Sequence, residues 1–150
     1  MTKNIMSTEE LNDFLLKEMP QVSDMVSVLE VNGMEATIAL TPSERNLRPG
    51  GTISGPSLFL LADVGFYLNL LSVIGPVPLA VTTNASINFM RKPDLSGLIG
   101  ISKIMKLGKR LAVGDVVIYA ASDKDRQSPL AHATMTYAIP STRPGQKQGS

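Results

Sequence analysis

Residues 57–74 read SLFLLADVGFYLNLLSVI, with Pro56 in front and Gly75-Pro76-Val77-Pro78 behind. Proline suits the first turn of a helix and the Gly-Pro-Val-Pro run ends one, so the segment is expected to form one long helix. It is apolar on almost every side, and such a helix has to be surrounded. Its length would nearly span a bilayer. Asp63 and Asn69 in mid-run, and the strand-rich sequence on either side, point instead to the buried core helix of a soluble domain with no membrane partner.

Downstream, Val81, Thr83, Ala85, Ile87 and Phe89 alternate with Thr82, Asn84, Ser86 and Asn88, a period of two that predicts a strand. Leu98 to Leu107, Leu111 to Ala121 and Leu130 to Ile139 supply three more, divided by Gly108-Lys109 and by the polar turn Ser122 to Ser128. Upstream, Val22 to Val31 and Met34 to Thr41 are strand-like, and Asn32-Gly33 between them is a two-residue hairpin signal. Pro42 to Pro56 holds too many prolines and glycines for regular structure and is long enough to suspect function. At the start, Ser7 or Thr8 precedes Glu9 and Glu10, and Leu11, Phe14, Leu15 and Met19 recur at helical spacing before Pro20, which predicts a short capped amphipathic helix over the sheet. The economical packing is α+β: a curved antiparallel sheet of about six strands wrapped around one long buried helix.

A chain of 150 residues, 43% hydrophobic, suits one domain, read as residues 1–140, with the Pro-, Gly-, Gln- and Lys-rich segment 141–150 expected to be a disordered tail. The chain has no cysteine and one histidine, which removes thiolate chemistry and most metal sites, so neither metal nor cofactor is expected. Lys and Arg total 14 against 13 Asp and Glu, and aromatic residues make up 5%, without interleaving among the charges. That balance disfavours nucleic acid as a partner. Met1 to Glu10 is polar and acidic where a signal peptide needs an apolar stretch, so a cytoplasmic location is expected.

Asp63 stands alone among Leu58, Phe59, Leu60, Leu61, Ala62, Val64 and Phe66, where an unpaired carboxylate is costly. It either faces a wet gap or caps a neighbouring backbone, or it is a base or nucleophile tuned by its surroundings. The segment Gly50-Gly51-Thr52-Ile53-Ser54-Gly55-Pro56 places small residues at the N-terminus of the same helix, where free amides and the positive dipole end gather. The Gly55 amide is the best oxyanion donor there, since Pro56 has none; the plain alternative is a loop in which Ser54 or Gly55 merely shapes the turn. Arg91, Lys92, Lys103, Lys106, Lys109 and Arg110 stand against Asp94 alone between positions 91 and 110, a bias that suits a phosphate-rich ligand. Within it Arg91, Lys92, Lys109 and Arg110 are the favoured binding residues. His132 lies on the polar face of the last strand with no carboxylate at motif spacing, and no G-x-S-x-G elbow exists, so a Ser-His-Asp triad is not expected.

From the first strand to Ile139 the chain resembles the hotdog-fold acyl-CoA thioesterases of the phenylacetate-pathway type. The resemblance rests on Asn46-Leu47-Arg48-Pro49-Gly50-Gly51-Thr52-Ile53-Ser54-Gly55-Pro56 followed by Leu61-Ala62-Asp63, on the strand Val81 to Lys92, and on Gly108-Lys109-Arg110-Leu111-Ala112-Val113. It implies a hotdog fold and acyl-CoA hydrolysis, with Asp63 as general base or nucleophile and Gly55 as the oxyanion-hole amide. It further implies that Asn46 positions water or thioester, that Thr82 is a hydroxyl near the acid, and that two subunits share each site in a homodimer or homotetramer. Ser54 stands where the family usually has histidine, and Pro56 replaces the second glycine of that turn. Phe59, Phe66, Tyr67 and Met90 are candidates for shaping the acyl pocket. The rival reading is a non-catalytic hotdog protein that binds acyl-CoA or an acyl chain; a third, a hydratase, would need His132 beside an acid.

Overall fold

The computed structural model describes residues 3–141. The expected disordered tail, apart from Ser141, lies outside the described residues. Helix α1 spans Thr8–Glu18, capped by Ser7 in a capping box: the Glu10 amide donates to Ser7 Oγ at 3.1 Å and the Ser7 amide to Glu10 Oε1 at 3.0 Å. Strands β1 (Val26–Asn32) and β2 (Glu35–Leu40) form a hairpin in which Asn32 faces Glu35. The turn is therefore Gly33-Met34, one residue later than Asn32-Gly33, because Gly33 supplies the positive φ of 62° that a tight hairpin needs.

The segment 42–56 is more regular than expected: a 3-10 helix at Glu44–Asn46 leads into a minute hairpin of β3 (Leu47–Arg48) and β4 (Thr52–Ile53). Gly50 and Gly51, both at positive φ, turn that hairpin. Helix α2 (Gly55–Ile74) follows, then β5 (Val81–Phe89), β6 (Leu98–Leu107), β7 (Leu111–Ala120) and β8 (Ala131–Ala138). The six long strands make one antiparallel sheet in the order β1-β2-β6-β7-β8-β5, the α+β arrangement of a sheet with one long helix on its face. This is the hotdog fold.

From Val64 to Ile74 every residue of α2 is buried. The helix is apolar enough to cross a membrane, yet 83% of its most apolar window is covered by its own chain. Close approach of helix and sheet depends on Gly114: a Cβ there would lie 2.1 Å from the Lys103 carbonyl oxygen and 2.6 Å from the Phe66 ring. Asn69, fully buried, donates to Ser102 Oγ at 2.9 Å and to the Met34 carbonyl at 3.1 Å, so this amide ties helix to sheet. At the β1 edge, α1 docks through Asn12, whose side chain pairs with both the amide and the carbonyl of Val28. The other outer strand, β5, pairs only with β8 among the described residues and is the free edge of the sheet.

Candidate active site

Alternation along β5 assigns Thr82 to the side of Asn84, Ser86 and Asn88, away from the helix. A β-bulge overrules it: Thr82 faces Tyr137 and Asn84 faces Thr136, so Thr83 is an extra residue and Thr82 turns to the helix side. There its hydroxyl donates to Asp63 Oδ1 at 2.6 Å. The phenol of Tyr137, on the core face at the C-terminal end of β8, donates to the same oxygen at 2.7 Å and touches the Asp63 carbonyl at 3.1 Å. Asp63 Oδ2 makes no hydrogen bond among the described residues and is not sealed from solvent. Asp63 is half-buried, the one interruption in the closed packing of residues 61–74.

Sequence reasoning picks out Asp63 and Thr82 but misses Tyr137, which the alternation of β8 marks only as one more core-facing residue. The Tyr137 ring stacks on Tyr67, centroids 6.0 Å apart, and packs against Phe66 at 5.5 Å. Burial first, then the neighbouring Asp63 charge, holds the Tyr137 phenol well above its ordinary range, so it stays protonated and remains a donor. Tyr67, which donates to the Pro78 carbonyl at 3.2 Å, is pushed up to about 12, chiefly by burial. These two tyrosines form the floor of a cavity of about 300 Å³ walled by Met19, Gln21 and Pro78. Phe66 is fully buried beneath Gly114 and packs in the core. Phe59 is 36% exposed, one helical turn before Asp63 and one after Gly55, so the three share the open stripe of α2.

At the head of α2, Ser54 is the N-cap; its Oγ accepts from the Ser57 amide at 3.3 Å and lies 2.9 Å from Ser57 Oγ. Asn46 is buried: its Nδ2 donates to Ser57 Oγ at 3.1 Å, its Oδ1 accepts from the Ser43 amide at 2.8 Å, and its carbonyl accepts from the Ser54 amide at 2.7 Å. Both side chains are therefore engaged in fixing the loop on the helix. Gly55 lies against Phe89, a Cβ there being 3.5 Å from the ring. Beside it opens a depression of about 450 Å³ between Leu58, Phe89, Arg48, Arg91 and Lys92. Arg48 is a cation that sequence reasoning passed over.

The basic stretch does not form one patch within a chain. Arg91 and Lys92 follow the Phe89 end of β5, whereas Lys109 and Arg110 turn between β6 and β7 beside Ile139, at the Val81 end. Asp94 accepts from Ser122 and Ser96, bonds that hold its carboxyl below the usual range and pin the segment after Arg91. His132 does have a carboxylate partner, Asp115 of the neighbouring strand, at 2.8 Å from Nε2. The pair sits on the sheet face away from α2 and from Asp63, because His132 alternates with the core-facing Ala131 and Ala133. No group of three or more potential metal ligands occurs among the described residues.

A family model of the thioesterase superfamily matches residues 50–126, a span that takes in Gly55, Asp63 and Thr82. A structure from Silicibacter sp. TM1040, provisionally described as a thioesterase, is 42% identical over 93% of this chain and 95% of its own, with a TM-score of 0.84. The chain belongs to the thioesterase superfamily. At lower identity the same fold recurs in the PaaI protein of the phenylacetic acid degradation operon of E. coli (18% identical, 91% of this chain and 95% of that one, TM-score 0.74). It recurs also in a hypothetical thioesterase of Streptococcus pneumoniae solved with coenzyme A (20% identical, 89% and 98% covered, TM-score 0.73). No protein of curated function matches the chain.

Proposed function

We propose that this protein is an acyl-CoA thioesterase, with Asp63 as general base on water or as nucleophile, the Gly55 amide as oxyanion donor, and no cofactor. The observation that carries the reading is a half-buried carboxylate on the open stripe of a core helix, with one oxygen held by Thr82 and the other free. In the general-base route Asp63 takes a proton from water as the water oxygen attacks the thioester carbon. The oxyanion is then held by helix-terminal amides, the C–S bond breaks, and the thiolate leaves to be protonated. The coenzyme A of the S. pneumoniae protein and the Arg48, Arg91 and Lys92 cations beside Gly55 both favour a CoA ester.

Within one chain Gly55 and Asp63 are separated by eight residues, roughly 12 Å of helix at 1.5 Å each, too far to act on the same carbonyl. The free edge of β5 offers a remedy. Two copies of β5 paired antiparallel would set the Phe89 end of one beside the Val81 end of the other. Gly55 of one copy then approaches Asp63 of the other, and Lys109 and Arg110 join the partner copy's cations. The site is accordingly shared across a dimer.

Thiol release from a panel of aromatic and straight-chain acyl-CoAs tests the activity, with Asp63→Ala as the control. Complementation tests the sharing. Asp63→Ala and Gly55→Pro, each inactive alone, regain on subunit mixing about a quarter of wild-type activity, since about half of the dimers are mixed and each mixed dimer carries one intact site. Wild-type protein that binds CoA esters saturably without turnover would instead establish the non-catalytic binder. Ser54 favours that second reading to the extent that its hydroxyl, standing where the family usually has histidine, is taken up in capping α2.

A further inference from the structure

Asp63 is a carboxylate whose two oxygens are treated differently. An ionised carboxyl group only accepts hydrogen bonds, and it has room for about four. Both donors here converge on Oδ1, Thr82 from the edge strand and Tyr137 from the strand beside it, while Oδ2 is left to solvent. Two short O–H donors on one oxygen fix the plane of the carboxyl group. Oδ2 is the oxygen that remains for a reacting water or thioester.

The Tyr137 ring is in turn clamped between Phe66 and Tyr67, and Tyr67 is anchored to the Pro78 carbonyl. The hydroxyl therefore has little freedom to leave Oδ1. A tyrosine placed this rigidly, with the rest of its ring in core packing, is more than filler: a phenylalanine would satisfy every ring contact and leave the carboxylate one donor short.

We propose that Tyr137 is a positioning residue for the hydrolysis, holding Asp63 Oδ1 together with Thr82 so that Oδ2 alone is presented to the reacting water or thioester. This rests on the thioesterase reading. A carboxylate held at one oxygen by Thr82 alone can rotate about its Cβ–Cγ bond, and the productive orientation then becomes one of several. In the shared site the substrate is held by the cations and by the helix-terminal amides and not by the phenol, so loss of the phenol acts on turnover and not on binding.

The test is Tyr137→Phe, assayed beside Asp63→Ala. Loss of one hydrogen bond to a charged group predicts a fall in kcat of about tenfold or more. KM and the Kd for a non-hydrolysable thioether analogue of the substrate are expected to change less than twofold. A purely structural role would instead leave kcat near wild type, or degrade kcat and ligand binding together. Either result, with Asp63→Ala inactive, overturns the proposal and leaves the thioesterase reading intact. Wild-type hydrolysis by Asp63→Ala would remove the role of Asp63 and the proposal with it, whereas absence of turnover by the unchanged protein would remove the thioesterase reading itself. A second measurement needs no change at Tyr137: proton NMR of the native protein should show a phenolic hydroxyl shifted downfield by its short bond to the carboxylate, and in Asp63→Ala, where only the backbone carbonyl at 3.1 Å remains as acceptor, that resonance should move upfield. An unchanged shift would overturn the proposal even if Tyr137→Phe failed to fold.

Discussion

The head and the middle of α2 dispose of their polar groups in opposite ways. At the head, Asn46, Ser54 and Ser57 satisfy one another within an interval of 11 residues, with no bond from these three side chains to a long strand. At the middle, the Asp63 carboxylate is completed by Thr82, 19 residues on, and by Tyr137, 74 residues on. One end is a local device that leaves backbone amides open; the other exists only when the sheet has assembled against the helix. The positive pole should therefore tolerate damage to the sheet, while the carboxylate should respond to any change in how β5 and β8 meet α2.

The largest expected effect is at the assembled end. Asp63→Ala should cost about 10²- to 10⁴-fold in kcat, the usual contribution of a general base, measured as thiol release with circular dichroism confirming the fold. Next comes the head, where the amide itself can be removed. Ser54 is extended, with φ −72° and ψ 152°, so a proline can follow it, and Gly55→Pro deletes one N–H at the first residue of α2, a position that tolerates proline. A loss of about 10²-fold in kcat is expected, against a few-fold for Gly55→Ala, whose new Cβ only touches Phe89 at 3.5 Å. Equal activities of the two variants would deny the amide its role.

Smaller still is the binding contribution of the cations. Arg91→Ala with Lys92→Ala should raise KM for a CoA ester about fivefold, with kcat unchanged, and the difference should shrink in high salt. The least effect belongs to Ser54→Ala. As a helix cap it is worth about 1 kcal/mol of stability, or roughly 3 °C in melting temperature. Turnover below that temperature should stay within twofold. A large fall in kcat without a stability change would show that Ser54 has taken over part of the usual histidine's work.

What could be read from the sequence follows the same division. The long helix, its proline start and Gly-Pro stop, and the strand ends at Val81, Phe89, Leu98 and Leu107 are written in local periodicity and agree with the structure. Asp63 was legible because a charge inside an apolar run is conspicuous. Tyr137 was not, since a tyrosine on the core face of a strand looks like any other large apolar residue until its partner is known. The placement of Arg91, Lys92, Lys109 and Arg110 was hidden for a related reason: within one chain the two pairs are separated by the length of a strand, which spacing in the sequence does not show. The irregular composition of segment 42–56 concealed a hairpin whose register is set by two glycines at positive φ, a feature with no period to detect.

The bulge at Thr83 gives the strand a form of insurance. A one-residue slip normally exchanges the two faces of a strand and would carry the acid's partner away. Here the residue beside Thr82 is another threonine, whose hydroxyl at present rests on the Thr136 carbonyl at 3.3 Å. If the extra residue were ironed out by slippage, Thr83 would take the place opposite Tyr137, and a hydroxyl would still arrive at Asp63. The doubled threonine makes that supply indifferent to alignment, so Thr82→Val alone should prove milder than Thr82→Val combined with Thr83→Val.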